Sequence, residues 1–377
     1  MKTIHFVYVK GTGIRTPAAI TNELSKRLET DYHVVVHDWA AQYAIRPSPG
    51  DVLLGHPHPS PASVFRRSFF LPGWHKRLVM LPFRHAPYYS EIGWWDPLIR
   101  KADRFIAICA SYWTDTMARS WTSHWAYKTV QLDLAVDRDH FPLIKDKFNP
   151  PERRRFLFIG LVAKYKGFDY LLEIVRANPQ LTFGWIGFGQ ETVECAGMEK
   201  HGYRDFSLRE NMDLVKSYDF LLTCGRSDPN PTTILEATAW GLVPVCTPQS
   251  GYYKQDWIIN IPLDNVDGAS AILRELNSAP ENVLRDYQQR GQLALLDHFT
   301  WDRFASQVKA CIEEPSPPTP SGLQWRWMFC RNCCVLGLYR VLAHVMPLAI
   351  MVQRIGHDLR VRWWRLQVNR RAGRKTT

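Results

Sequence analysis

The sequence predicts an α/β protein of two domains, each built on a mainly parallel sheet. Three observations carry this. Short apolar, strand-like runs alternate with segments of helical spacing from the first residues onward, the rhythm of strands joined by crossover helices. A Pro-rich, charged stretch, AVDRDHFPLIKDKFNPPERRR, interrupts that rhythm, which restarts at Phe156. A chain of 377 residues, 46% hydrophobic and 22% charged, can close two cores and is not disordered.

In chain order, Ile4 to Val9 reads as the first strand. A Gly-rich loop, KGTG, follows, and apolar residues from Pro17 to Leu28 recur at helical spacing. Further strands are expected over Tyr32–His37, Asp51–Gly55, Arg77–Leu81 and Arg104–Cys109. After the interruption come a strand over Phe156–Ile159, a helix over Asp169–Asn178, and strands over Thr182–Ile186, Phe220–Cys224 and Val243–Cys246. The expected domains are therefore 1–150 and 151–312. A Pro/Ser linker, EEPSPPTPSG, ends at 322, and a tail occupies 323–377.

Charge is concentrated in that tail. Of a formal net charge of +11, residues 323–377 hold +10, with Asp358 their only acid. Trp/Arg clusters (Trp325, Arg326, Trp327; Arg362, Trp363, Trp364, Arg365) flank the apolar run Val341–Val352. Such a segment can lie on an anionic membrane, bind nucleic acid, or pack on the body; without a nucleic-acid motif the membrane surface is preferred. No run of 18 apolar residues is present and no secretion signal is evident. Eight scattered cysteines suggest a reducing compartment, so the expected location is cytoplasmic, peripheral at the inner face of the cell membrane.

The segment DPNPTTILEATAWGLVPV, 228–245, contains only two ionisable side chains, Asp228 and Glu236. Asn230 suits a helix N-cap, Pro231 the first helical position and Gly241 the residue past the end. The backbone amides of Thr232 and Thr233 would then project from a helix N-terminus, where the dipole favours an anion such as phosphate. Glu236 lies one turn deeper on the face of Thr232 and is a good acceptor for a pair of sugar hydroxyls. Phosphate and vicinal diol together describe a nucleotide sugar.

SDPNPTTILEATAWGLVPV resembles the E-x7-E region of retaining GT-B glycosyltransferases of the family 4 type. FLFIGLVAKYKGFDYLLEIV, LTFGWIGFG, LDLAVDRDHFPL and DHFTWDRFASQV are similar to other segments of that family, in the family's order. The resemblance implies two Rossmann-like domains facing across a cleft, the first for the acceptor and the second for the donor. It implies transfer of a hexosyl or related sugar from a nucleotide donor, uridine- or guanosine-linked, to a glycan or lipid-linked acceptor, as in cell-surface polysaccharide or glycolipid assembly. Glu236 matches the residue that holds the donor ribose, Asp228 the acid beside the transferred sugar, and Lys166 the diphosphate lysine. Gly11 and Gly13 match the loop facing the diphosphate. Leu161 stands where the family usually has Arg, leaving Lys164 or Arg226 to supply that charge, and Asp228 is shorter than the usual Glu. A sugar-nucleotide epimerase or a non-catalytic scaffold of the same fold are the alternatives.

Histidines follow two predicted strands, His56 and His58 after the third and His85 after the fourth. Strand C-termini of open α/β sheets gather ligands. The resemblance implies a histidine near the reacting sugar after one of these strands, His85 by position, and a solvated loop histidine is the alternative for each. The Asp-Arg-Asp at 137–139 imitates a metal motif but is expected to be structural. Cys330 and Cys333 have a C-x2-C spacing without a second zinc-type pair. No metal and no cofactor are expected.

Overall fold

The computed structural model describes residues 2–11, 16–85, 92–206 and 208–345. The chain forms two compact units, one of Met1–Leu134 with Thr300–Val345, the other over Ala135–Phe299.

The first unit opens with β1 (Thr3–Tyr8), α1 (Thr16–Leu28), β2 (His33–Asp38), β3 (Val52–Gly55) and α2 (Val64–Phe69). β4 (Lys76–Pro82), α3 (Ile92–Lys101), β5 (Arg104–Ile108), α4 (Ser111–Asp115) and β6 (Thr129–Leu132) complete its sheet. All six strands are parallel, in the order β2-β1-β3-β4-β5-β6. Central strands are buried on both faces: β3 is wholly buried, and Val7, Leu53, Val79, Phe105 and Ala107 share a core with Phe65, Phe69 and Trp95. That is why these strands read as continuous apolar runs.

The second unit contains β7 (Arg155–Ile159), α5 (Phe168–Ala177), β8 (Thr182–Ile186), β9 (Met198–Lys200) and α6 (Arg209–Lys216). It continues through β10 (Phe220–Thr223), α7 (Thr232–Trp240), β11 (Val243–Cys246), β12 (Ile259–Asn260), α8 (Val266–Ser278) and α9 (Glu281–Asp297). Its six parallel strands run β12-β11-β10-β7-β8-β9. Phe156 and Phe220 stack at 4.8 Å between ring centroids across β7 and β10, with Phe183 beside them. Each fully buried Phe of this kind contributes roughly 1.5–3 kcal/mol.

The unit boundaries fall at 134/135 and 299/300, whereas the sequence places them at 150 and 312. Two sets of buried cations account for the difference. Lys145 Nζ pairs with Asp219 at 2.9 Å, both side chains buried, and donates to the Lys216 carbonyl. Asp219 also accepts from Asn149 and from the Arg155 amide, so residues 145–149 belong to the second unit. α10 (Trp301–Glu313), started by a Thr300 side-chain cap on the Arg303 amide, returns to the first unit. Buried Lys76 donates to the carbonyls of Ile312, Cys311 and Glu314, meeting the negative end of this helix. Arg27 with Asp302, and Lys2 and Tyr32 with Glu313, fasten its other positions.

The Pro/Ser segment is irregular, as its composition predicts, yet it is pinned. Arg104 donates to the Pro315 carbonyl and Ser316 to Asp103. α11 (Leu323–Val345) follows and packs on the first unit, with Leu336 in its core. The opening of the basic tail is thus a docked helix; Arg354, Arg362, Trp363, Trp364 and Arg365 lie outside the described residues. Among the described residues no helix is long and apolar enough to cross a membrane.

Candidate functional site

In the second unit Lys166, Asp228, Thr232, Thr233 and Glu236 come from segments that follow the C-terminal ends of β7 and β10, where open α/β sheets bind ligands. A short turn, Lys164–Lys166, delivers the lysine. It leads into α5 through Gly167, which has φ +66°. A Cβ on Gly167 would lie 1.7 Å from the Cys224 carbonyl oxygen, so only glycine lets this turn press against the end of β10. The Tyr165 carbonyl then accepts from the amides of Arg226 and Ser227, and the Gln249 carbonyl from that of Asp228.

The outcome is a direct ion pair, Lys166 Nζ to Asp228 Oδ2, at 2.5 Å, with both side chains largely buried. Eight residues on, Glu236 sits on the first turns of α7, half-buried. Burial pushes its pKa up to about 7; the hydrogen bond from Thr232 and the charge of Lys166 pull the other way and hold it there.

Helix α7 starts one residue later than the sequence suggests. Pro231, at φ −69° and ψ 111°, is the N-cap rather than the first helical residue, and its own side chain makes no cap hydrogen bond. Asn230 is drawn away because its Oδ1 accepts from the buried Tyr252 hydroxyl at 2.6 Å. The amides of Thr232 and Thr233 still lie in the first turn, with the dipole's positive end. Gly241, at φ +95°, ends the helix as predicted.

The two residues expected to stand in for the arginine of the resembled family separate clearly. Arg226 is held by Asp169 at 3.3 Å and by Asp264 at 2.6 Å, two carboxylates that sequence spacing gave no reason to group with it. Lys164 is exposed, as is Leu161 at 43%. Lys164 is therefore the better placed of the two to meet an added anion.

The other candidates belong to the first unit. His85 follows β4, with Nε2 2.8 Å from the Thr116 hydroxyl and its ring edge-on to Trp113. Burial lowers its pKa, favouring the neutral ring. His56 is buried among Tyr8, Trp39 and Trp95, which drives its pKa down to about 3, and His58 accepts from the Ser60 amide. Gly11 is exposed; a Cβ there would make an ordinary 3.5 Å contact with Ala18, so packing alone does not require glycine. Gly13 lies outside the described residues.

Asp137 folds back on its own loop, accepting from the Asp139 amide and pairing with His140 at 2.6 Å. Among the described residues, Asp96, His124 and Cys333 approach one another as metal ligands would. The Asp96 oxygens already accept from His124 at 2.8 Å, Trp125 at 3.1 Å and Arg100 at 2.8 Å, so the cluster reads as a hydrogen-bond network. All eight cysteines are free thiols.

No family model matches the chain, and no curated protein matches its sequence. Its structure is similar to a sucrose-phosphate synthase from Thermosynechococcus elongatus, with a TM-score of 0.58 at 13% identity, covering 88% of this chain and 100% of the other. Anabaena HepE in complex with UDP and glucose aligns at 0.55 and 12% identity, covering 81% and 98%. WaaG, a glycosyltransferase involved in lipopolysaccharide biosynthesis, aligns at 0.54 and 11%, covering 82% and 99%. Of the longer TarM the chain spans 56% of the length. The likeness establishes the fold, that of the GT-B glycosyltransferases.

Proposed function

We propose that the chain transfers a sugar from a uridine- or guanosine-linked donor to a glycan or lipid-linked sugar acceptor, with retention of configuration. The observation that carries this is the conjunction at the start of α7: a helix N-terminus entered through Pro231, a partly buried Glu236 titrating near neutrality, and the Lys166–Asp228 pair. The binding of UDP and glucose by HepE supports the donor class.

In this reading the donor diphosphate replaces Asp228 as partner of Lys166, with Lys164 and the α7 dipole adding positive potential. Glu236 accepts hydrogen bonds from the ribose hydroxyls, which favour its ionised form. Freed from Lys166, Asp228 faces the transferred sugar as cationic character develops there. His85, kept neutral and oriented by Thr116, serves the acceptor side. No metal takes part. The tail is proposed to hold the chain at the cytoplasmic face of an anionic membrane, where lipid-linked acceptors reside, for polysaccharide or glycolipid assembly.

A second reading, a non-catalytic scaffold, is favoured by one observation: Lys166 and Asp228 neutralise each other while Leu161 occupies the usual arginine position. A thermal-shift screen with uridine and guanosine nucleotide sugars separates the two. Stabilisation by one donor, with sugar transfer to an added acceptor, is expected; stabilisation without turnover favours the scaffold. No shift with any nucleotide sugar removes the donor site altogether.

A further inference from the structure

Helix α11 has two opposed faces. At about 100° per residue, Trp325, Phe329, Asn332 and Leu336 share one side, and Leu323, Trp327, Cys330, Cys334 and Leu338 share the other. The first side is docked. Trp325 stacks on Phe329 and meets Tyr127 edge-on, and Phe329 packs against His124.

The docking fixes the rotation of the helix. Asn332, fully buried, donates to Ser123 Oγ at 2.8 Å and to His124 Nδ1 at 3.3 Å, and the opposite ring nitrogen of His124 donates to Asp96. Turning the helix would strand a buried amide and break this chain of hydrogen bonds.

The second side is therefore held outward although it is apolar. Leu323 is 81% exposed, Trp327 71% and Leu338 60%, with Cys330 and Cys334 exposed between them. The stripe runs about 22 Å along the helix. An exposed apolar stripe of this kind marks an interaction surface.

Charge selects what covers it. Arg326 and Arg331 border the stripe on either side, and Leu323–Val345 contains no Asp or Glu. The Arg331 guanidinium lies 5.3 Å from the ring centre of Trp121, itself 47% exposed, which extends the aromatic rim. A second copy of the chain would set arginine against arginine with no acid on this helix to pair with either. An anionic bilayer offers phosphates to the arginines, headgroup depth to the tryptophans and acyl chains to the leucines.

We propose that the outward face of α11 lies flat in the interface of an anionic membrane, with Leu323, Trp327 and Leu338 inserted and Arg326 and Arg331 on lipid phosphates. The inference rests on the tail-to-membrane reading above and assigns the contact to this helix rather than to residues 346–377. Its test is co-sedimentation of the full chain with phosphatidylglycerol or phosphatidylcholine vesicles. Comparators are the triple variant L323S/W327S/L338S, the pair R326Q/R331Q, and a chain ending at Val345. The triple variant is expected to bind phosphatidylglycerol vesicles about tenfold more weakly or worse, and the chain ending at Val345 to retain binding that the triple change removes. The R326Q/R331Q pair should lose the preference for the anionic lipid.

Unchanged binding by the triple variant, with binding lost on truncation after Val345, overturns the assignment and leaves the tail reading standing. Absence of vesicle binding by the unaltered chain overturns both. Conversion of a dimer to a monomer by the triple variant in sedimentation velocity identifies the occupant as a second copy and also overturns it. Nucleotide-sugar thermal shifts of the same variants report on the donor site separately and should not change.

Discussion

Replacing Glu236 by Gln should stabilise the protein while weakening the proposed donor site. The carboxyl has a folded-state pKa of about 7 against an ordinary 4.5, so between these values the folded state holds a proton that the unfolded chain has released. Stability from this group is complete below the unfolded value and falls as pH rises through the folded one. At about 1.36 kcal/mol per unit, the shift corresponds to a loss of about 2.5 kcal/mol between about pH 5 and about pH 8. Partial exposure of Glu236 screens some of this, leaving about 1–2.5 kcal/mol. Gln has the same shape and no titration, so urea denaturation of wild type and E236Q should give stability curves that diverge by that amount as pH rises, the variant being the more stable at the alkaline end. Parallel curves across this range would refute the account of a carboxylate kept under strain by burial.

Other changes probe what positions the site. Lys145→Ala leaves Asp219 buried without its cation and should destabilise the second unit by about 3–5 kcal/mol in urea melts; a loss below about 1 kcal/mol would mean that the amides around Asp219 suffice. Gly167→Ala forces a Cβ against the Cys224 carbonyl in a left-handed conformation, which should cost more than the roughly 1–2 kcal/mol of the backbone conformation alone and displace Lys166. A normal melting temperature with normal donor binding would show that the turn relaxes freely.

Much of this architecture was legible because buried parallel strands are continuous apolar runs with sharp ends. Thr182–Ile186 and Val243–Cys246 are found at their predicted limits, and the other predicted strands within a residue at each end. The strands β6, β9 and β12 were not foreseen: Thr129–Leu132, Met198–Lys200 and Ile259–Asn260 are short edge strands, largely open on one side, that carry polar residues. Their pairing depends on a neighbour already in place. The helix bearing Glu236 was readable from Pro231 and Gly241, but its start moved because Asn230 answers a distant Tyr252 hydroxyl. Long-range polar choices of this kind also hid the Asp169–Arg226–Asp264 cluster and the return of α10 to the first unit. Lys166 and Asp228 were each singled out from the sequence; that they neutralise each other follows only from the approach that Gly167 permits.

The most direct test of the proposed donor site is calorimetric titration of wild type and Glu236→Ala with the nucleotide sugar that stabilises the protein best in the screen. Loss of hydroxyl hydrogen bonds to a charged group, about 1.5–3 kcal/mol, predicts binding weakened about tenfold to a hundredfold, with an unaltered fold by circular dichroism. Equal affinity in the two proteins, with the fold intact, would contradict the assignment of Glu236 and with it the site at the start of α7.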